Sequence, residues 1–158
     1  MILYHGSNIK FDVILLSASK NRRDFGLGFY TTTLFEQARN WAEILNFRYK
    51  QDGIWTYEFD FTEDSVIKTK VFNGLSIEWL EFVKENRIKG GIQHDYDIVC
   101  GPVANDKTME TVGLYIDGIY TGEEALNRLK YMKPNNQISF HTDKSLAYLK
   151  LLKRTKWN

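Results

Sequence analysis

The segment that most constrains the fold is residues 54–61, where Trp55, Tyr57, Phe59 and Phe61 alternate with Thr56, Glu58 and Asp60. Successive side chains of a strand point to opposite faces, so this spacing predicts a strand with one aromatic face and one polar face. The rings on it belong to a larger excess. Four Trp, nine Tyr and ten Phe make 15% of a 158-residue chain. Rings are costly to expose and suited to stacking, so the excess serves a core, a binding site or both. The length fits one compact domain. With two Pro and no biased run, broad disorder is excluded.

Shorter signals fill in the rest. Leu3-Tyr4 predicts a short strand ending at His5-Gly6-Ser7. Residues 8–27 close in the loop Asn21-Arg22-Arg23-Asp24-Phe25-Gly26-Leu27-Gly28. Phe29-Tyr30-Thr31-Thr32 is β-prone. Thr33 with Glu36 carries the spacing of a capping box, followed by helical recurrence to about Arg48. Residues 66–71 read as a short extended piece. Ser76 predicts the start of a helix ending near Gly90-Gly91. A buried strand is expected over Tyr96–Val103, then helices over roughly 107–117 and 122–132, the second with a capping box at Thr121 and Glu124. Gln137–His141 predicts a last short strand, and Leu146–Leu152 a closing helix. Strands and helices interleave without a regular βαβ rhythm, so the expected class is α+β, a split sandwich of short mixed strands flanked by helices.

The formal charge of +1 argues against a protein that coats nucleic acid through bulk electrostatics. The N-terminus lacks the basic and apolar regions of a secretory signal, and no apolar run approaches membrane-spanning length. Cys100 is the single cysteine. A cytoplasmic setting, with no membrane partner, is expected.

Three stretches could carry chemistry. In Tyr4-His5-Gly6-Ser7, a glycine after a strand lets a ligand approach the backbone, and the imidazole can meet a sugar hydroxyl. An ordinary strand-ending turn reads the same. In Gly28-Phe29-Tyr30-Thr31-Thr32, Tyr30 could stack on a flat ring while Thr31 offers a hydroxyl; both are also simply good strand formers. In Gln137-Ile138-Ser139-Phe140-His141, the three polar residues alternate with apolar ones and share one strand face. Asp24-Phe25-Gly26 is a kinase-like tripeptide, set aside because the chain lacks the kinase catalytic loop. Gly26 and Gly28 lack the third glycine of a dinucleotide fold. His94, Asp95 and Asp97 lack a second histidine at ligand spacing, and no metal is expected.

Taken together, the first two stretches resemble the His and Tyr motifs of diphtheria-toxin-like ADP-ribosyltransferases. The whole chain also resembles a bacterial domain of unknown function that carries them with Gly101-Pro102-Val103-Ala104-Asn105-Asp106-Lys107 and Gln137-Ile138-Ser139-Phe140-His141-Thr142. The resemblance implies an ADP-ribosyltransferase-like sandwich and an NAD-dependent mono-ADP-ribosyltransferase. It would modify a macromolecule, a protein in preference to a nucleic acid, and release nicotinamide. It implies a toxin with a cognate antitoxin, or a phage-defence effector. His5 would bond an NAD ribose and the Gly6 backbone would hold the carboxamide, with Ser7 in support. Tyr30 and Trp41, eleven residues apart, would enclose the nicotinamide. Trp41 also falls on the apolar stripe of its helix. Arg22, and after it Arg23, could meet the diphosphate. Asn105 and Asp106 are further candidates in a loop after a buried strand.

The catalytic set implied is His5, Tyr30 and Gln137, and Gln137 stands where the family order expects Glu. A glutamine accepts the same ribose hydroxyl but brings no charge to an oxocarbenium-like centre. Losing such a term costs on the order of 3 kcal/mol, about a hundredfold in rate. Three outcomes stay open: a slow transferase, one that draws its charge from another residue (Asp106 or Glu110), or a nucleotide-binding module without turnover. An RNA phosphate transferase of the same fold is a further alternative.

Overall fold

A computed structural model describes residues 1–104, 106–130 and 135–158, with the backbone alone for 106 and 107. The alternating aromatic segment forms strand β3 (Ile54–Phe61). It lies between β1 (Ile2–Ser7) and β7 (Leu149–Trp157) in an antiparallel sheet of order β1-β3-β7. A second sheet contains β2 (Phe29–Thr31), β4 (Thr69–Val71), β5 (Ile98–Gly101) and β6 (Gln137–Phe140). Its order is β2-β6-β5-β4, with β4 parallel to β5 and the other pairs antiparallel. Among the described residues one backbone bridge joins the sheets, where Tyr4 and Thr32 exchange both backbone hydrogen bonds (2.8 and 2.9 Å). Past that bridge β1 and β2 part.

The class is therefore α+β, with helices on the outer faces of two packed sheets. The aromatic face of β3 explains the packing. Tyr57, Phe59 and Phe61 are at most 6% exposed and join Leu3 against Phe29, Ile98, Ile138 and Phe140 of the second sheet. Each buried ring contributes roughly 1.5–3 kcal/mol. On the other side of the first sheet, helix α1 (Phe35–Arg48) packs on β1 and β3. It comes so close that a Cβ at Gly6 would stand 1.8 Å from the Ala38 carbonyl oxygen. Helices α2 (Ile77–Lys89), α3 (Asp106–Ile116) and α4 (Gly122–Leu129) cover the second sheet through a core that includes Phe25, Trp79, Leu80, Val83, Val99, Val112 and Leu129.

Local signals account for several boundaries. Ser76 caps α2 by accepting the Trp79 N–H at 3.1 Å, and Thr121 caps α4 through the Glu124 N–H at 3.2 Å. Such caps contribute about 1 kcal/mol each. Gly90 and Gly91 end α2 at φ 70° and 61°, a region costly for residues with a Cβ.

Two expectations are corrected. Thr33 does not cap α1. Its Oγ1 accepts from Asn136 Nδ2 at 2.7 Å, while Thr32 Oγ1 takes the Leu34 N–H at 3.1 Å. The hydroxyl needed for the capping box is engaged by the chain entering β6. The expected closing helix over Leu146–Leu152 is also absent. A single turn, α5 (Asp143–Leu146), gives way to β7, because β3 needs a second neighbour and pairing sets Leu149 and Leu151 opposite Phe61 and Phe59. The helix expected to 132 is described only to Leu129; residues 131 and 132 lie outside the described residues. Among the described residues no helix is long and apolar enough to cross a membrane.

Candidate functional site

Strand alternation sets the Gly28–Thr32 motif residues on the two faces of β2. Tyr30 stands opposite Ser139 in the β2–β6 ladder, and Gln137, two residues from Ser139, shares that face. Phe29 and Thr31 point the other way, into the space between the sheets, where Phe29 stacks on His5 at 4.2 Å. His5 and the Tyr30 ring thus lie on opposite sides of β2. They meet where His5 Nδ1 donates to the Tyr30 carbonyl at 2.7 Å. That bond leaves Nε2 as the unprotonated acceptor, and burial lowers the His5 pKa to about 4, so the ring is neutral at pH 7.

On the Tyr30 face the neighbours come from α1 and from the loop before β2. The Arg23 guanidinium lies 4.5 Å from the Tyr30 ring centroid and 6.0 Å from that of Trp41. Trp41 is half-buried on α1 and belongs to neither hydrophobic core cluster. Two aromatic rings therefore face one planar cation, an arrangement worth roughly 0.5–2 kcal/mol per ring. The Tyr30 hydroxyl donates to the Gly26 carbonyl at 2.5 Å and accepts the Phe25 N–H at 3.0 Å. Burial raises its pKa, keeping it a neutral donor. Tyr30→Phe keeps the ring but strands the Phe25 N–H, so urea denaturation should show a loss of about 1–2 kcal/mol. An unchanged midpoint would mean this bond does not hold the loop.

Gln137 lies in a buried polar network. Its Nε2 donates to Asp24 Oδ2 at 3.3 Å and to the Pro102 carbonyl at 3.2 Å. Asp24 is 5% exposed and takes the Ala104 N–H on Oδ2 at 3.1 Å. Its Oδ1 receives Arg87 Nε at 2.7 Å and a second Arg87 nitrogen. The polar face of β6 is thus covered rather than open to water, and all four residues of the strand are buried. In the sequence Asp24 reads only as part of a kinase-like tripeptide. The only signal was a carboxylate beside two arginines, in a loop rich in glycine.

The remaining candidates have local partners. The Gly6 backbone lies against α1. Ser7 Oγ accepts the Ile9 N–H at 3.0 Å, and Thr31 Oγ1 donates to the Ile138 carbonyl at 2.8 Å. Arg22, at φ 58°, turns from the ring slot and donates to the Arg87 and Ile88 carbonyls at the end of α2. Glu110 is exposed on α3. Asn105 lies outside the described residues, and Asp106 is placed only as the first backbone position of α3. Among the described residues no three His, Cys, Asp or Glu side chains gather as metal ligands.

One feature joins both faces. His5, His94 and His141 each hydrogen-bond a carbonyl of the same short segment: Tyr30, Phe25 and Leu27, at 2.7, 2.7 and 2.8 Å. On its other nitrogen, His141 Nε2 accepts from Ser139 Oγ at 2.7 Å. The loop holding Arg23 and Asp24 is fixed from three parts of the chain.

The chain belongs to a family described as a protein of unknown function (DUF3990), whose model matches residues 1–151. A search of curated proteins gives no match.

Proposed function

We propose that this protein is an ADP-ribosyltransferase using NAD as its substrate. The observation that supports this most is the pair of rings, Tyr30 from β2 and Trp41 from α1, facing one planar cation at 4.5 and 6.0 Å. The nicotinamide ring of NAD is also planar and positively charged, so a slot that suits a guanidinium suits it for the same electrostatic reason. His5 lies on the other side of β2 from the Tyr30 ring, stacked on Phe29, so a bond from its Nε2 to a ribose hydroxyl is a role that the family resemblance implies and the ring pair does not itself support. Gln137 shares the Tyr30 face of the sheet and is 6% exposed, so an amide oxygen set against the positive charge developing at the ribose carbon is a role that the family resemblance implies. In the reaction the bond from that carbon to the ring nitrogen breaks. Its electron pair leaves with neutral nicotinamide, and a nucleophile of the acceptor forms the new bond and gives up its proton. A toxin or phage-defence setting, a cognate antitoxin and a protein acceptor in the cytoplasm are part of the proposal through the family resemblance.

A binding module without turnover is the second reading, supported by the uncharged Gln137. The phosphate-transferase reading is weakened because Arg22 is engaged by α2 and Arg23 by the rings.

Nicotinamide release from NAD by the purified protein tests the reading. Trp41→Ala should slow release about tenfold, the loss of one stacking face. Binding of NAD without release would favour the module, and neither binding nor release would overturn the NAD reading. Labelled NAD in a lysate should transfer its ADP-ribose to a macromolecular fraction.

A further inference from the structure

We infer that Asp24 is the positioning residue of this site, orienting and polarising Gln137 so that an amide serves where a carboxylate is expected. This inference rests on the NAD reading above. The geometry is specific. A glutamine amide has two N–H hydrogens and one strong acceptor. Both hydrogens of Gln137 have acceptors, Asp24 Oδ2 at 3.3 Å and the Pro102 carbonyl at 3.2 Å. The amide is thereby held in one of its two flips, with Oε1 as its acceptor end.

The partner on the Nε2 side is charged, and this distinguishes it from ordinary core satisfaction. Donating to a carboxylate draws electron density along the amide toward Oε1, making it a better acceptor for a hydroxyl. Asp24 is itself held by Arg87 and the Ala104 N–H, so it cannot swing away. Its chain neighbours tie it to the ring slot as well. Arg23 faces the Tyr30 and Trp41 rings, and the Phe25 N–H meets the Tyr30 hydroxyl. The negative charge missing at residue 137 is present one hydrogen bond away, on a loop fixed against the same strand.

An exchange experiment follows. Gln137→Glu alone sets a second carboxylate against Asp24, and two carboxylates at that separation do not both stay ionised without cost. It should therefore not accelerate nicotinamide release, and should lower stability more at pH 7 than at pH 5. Asp24→Asn alone should lower kcat about tenfold or more with little change in the KM for NAD. The double variant Asp24→Asn/Gln137→Glu swaps amide and carboxylate across the same hydrogen bond and should regain most of the lost kcat. An Asp24 that served only to anchor Arg87 would show no such rescue.

A rate gain in Gln137→Glu alone, or an unchanged kcat in Asp24→Asn, would overturn the inference. Should the parent protein neither bind nor turn over NAD, the NAD reading fails. The coupling is then read from denaturation of the four proteins at pH 7. Restored stability in the double variant supports a coupled pair, and additive losses overturn it.

Discussion

Replacing Gly6 with alanine is expected to destabilise the protein by about 3 kcal/mol or more, among the largest effects of any single substitution here. The added carbon would lie 1.8 Å from the Ala38 carbonyl oxygen and 3.1 Å from the Ala42 nitrogen, both backbone atoms of α1. A flexible side chain could rotate away; a helix backbone cannot. Relief requires β1 and α1 to separate along the contact that also presents Trp41. Overpacking typically costs 1–3 kcal/mol, and a backbone collision belongs at the upper end. Urea denaturation measures this directly, and a Gly6→Ala protein within 1 kcal/mol of the parent would show that β1 and α1 are not so tightly apposed. Any effect of this variant on NAD use must be read beside its stability. A glycine in this motif has a packing reason whether or not its backbone also holds a carboxamide.

Acid should weaken the fold over a defined window. Burial lowers the pKa of His141 from 6.5 to about 4 and that of His5 likewise, and it lowers His94 as well. Between about pH 6.5 and 4 the unfolded chain takes up protons that the folded one refuses, so stability falls as pH drops through this range. It is fully present above the unfolded value, and this contribution levels off below the folded one. For His141, 4% exposed, the shift amounts to about 3 kcal/mol. His5 and His94 act in the same direction. Denaturation midpoints at pH 7, 5.5 and 4 should decline accordingly, with His141→Asn flattening part of the slope. Constant stability from pH 7 to 4 would contradict neutral, buried imidazoles.

What the sequence made legible follows from the range of the forces involved. The β3 alternation, the Ser76 and Thr121 caps and the glycine stop of α2 are set by residues within a few positions of each other, and the structure contains all of them. Thr33 carried an equally good local signal, yet Asn136 engages its hydroxyl from 103 residues away. The C-terminal segment looked helical because Leu146, Leu149 and Leu152 recur at a helical interval. Its state is decided instead by the open edge of β3. The same holds at the site. Tyr30, Trp41 and Gln137 stand out by type and spacing, whereas Asp24 joins Gln137 only through a contact across 113 residues. Arg23 and Arg22 are adjacent and chemically equivalent, yet Arg23 faces the rings while Arg22, at positive φ, reaches the end of α2.

The three imidazoles that hold residues 25–30 also bear on when the site comes into being. They reach their carbonyls across 25, 69 and 114 residues. Closing loops of that length costs chain entropy before any contact returns it, so such contacts form late in folding. The helices and the β4–β5 and β5–β6 pairs can assemble on separations well below 114 residues, whereas the β2–β6 pair and the His141 anchor of the Arg23–Asp24 loop join distant parts of the chain. A growing chain that has not yet added His141 lacks one of the three anchors, and with Gln137 still missing it has no partner for Asp24. Whatever this surface does, the chain gains the ability only after residues 137–141 have been added.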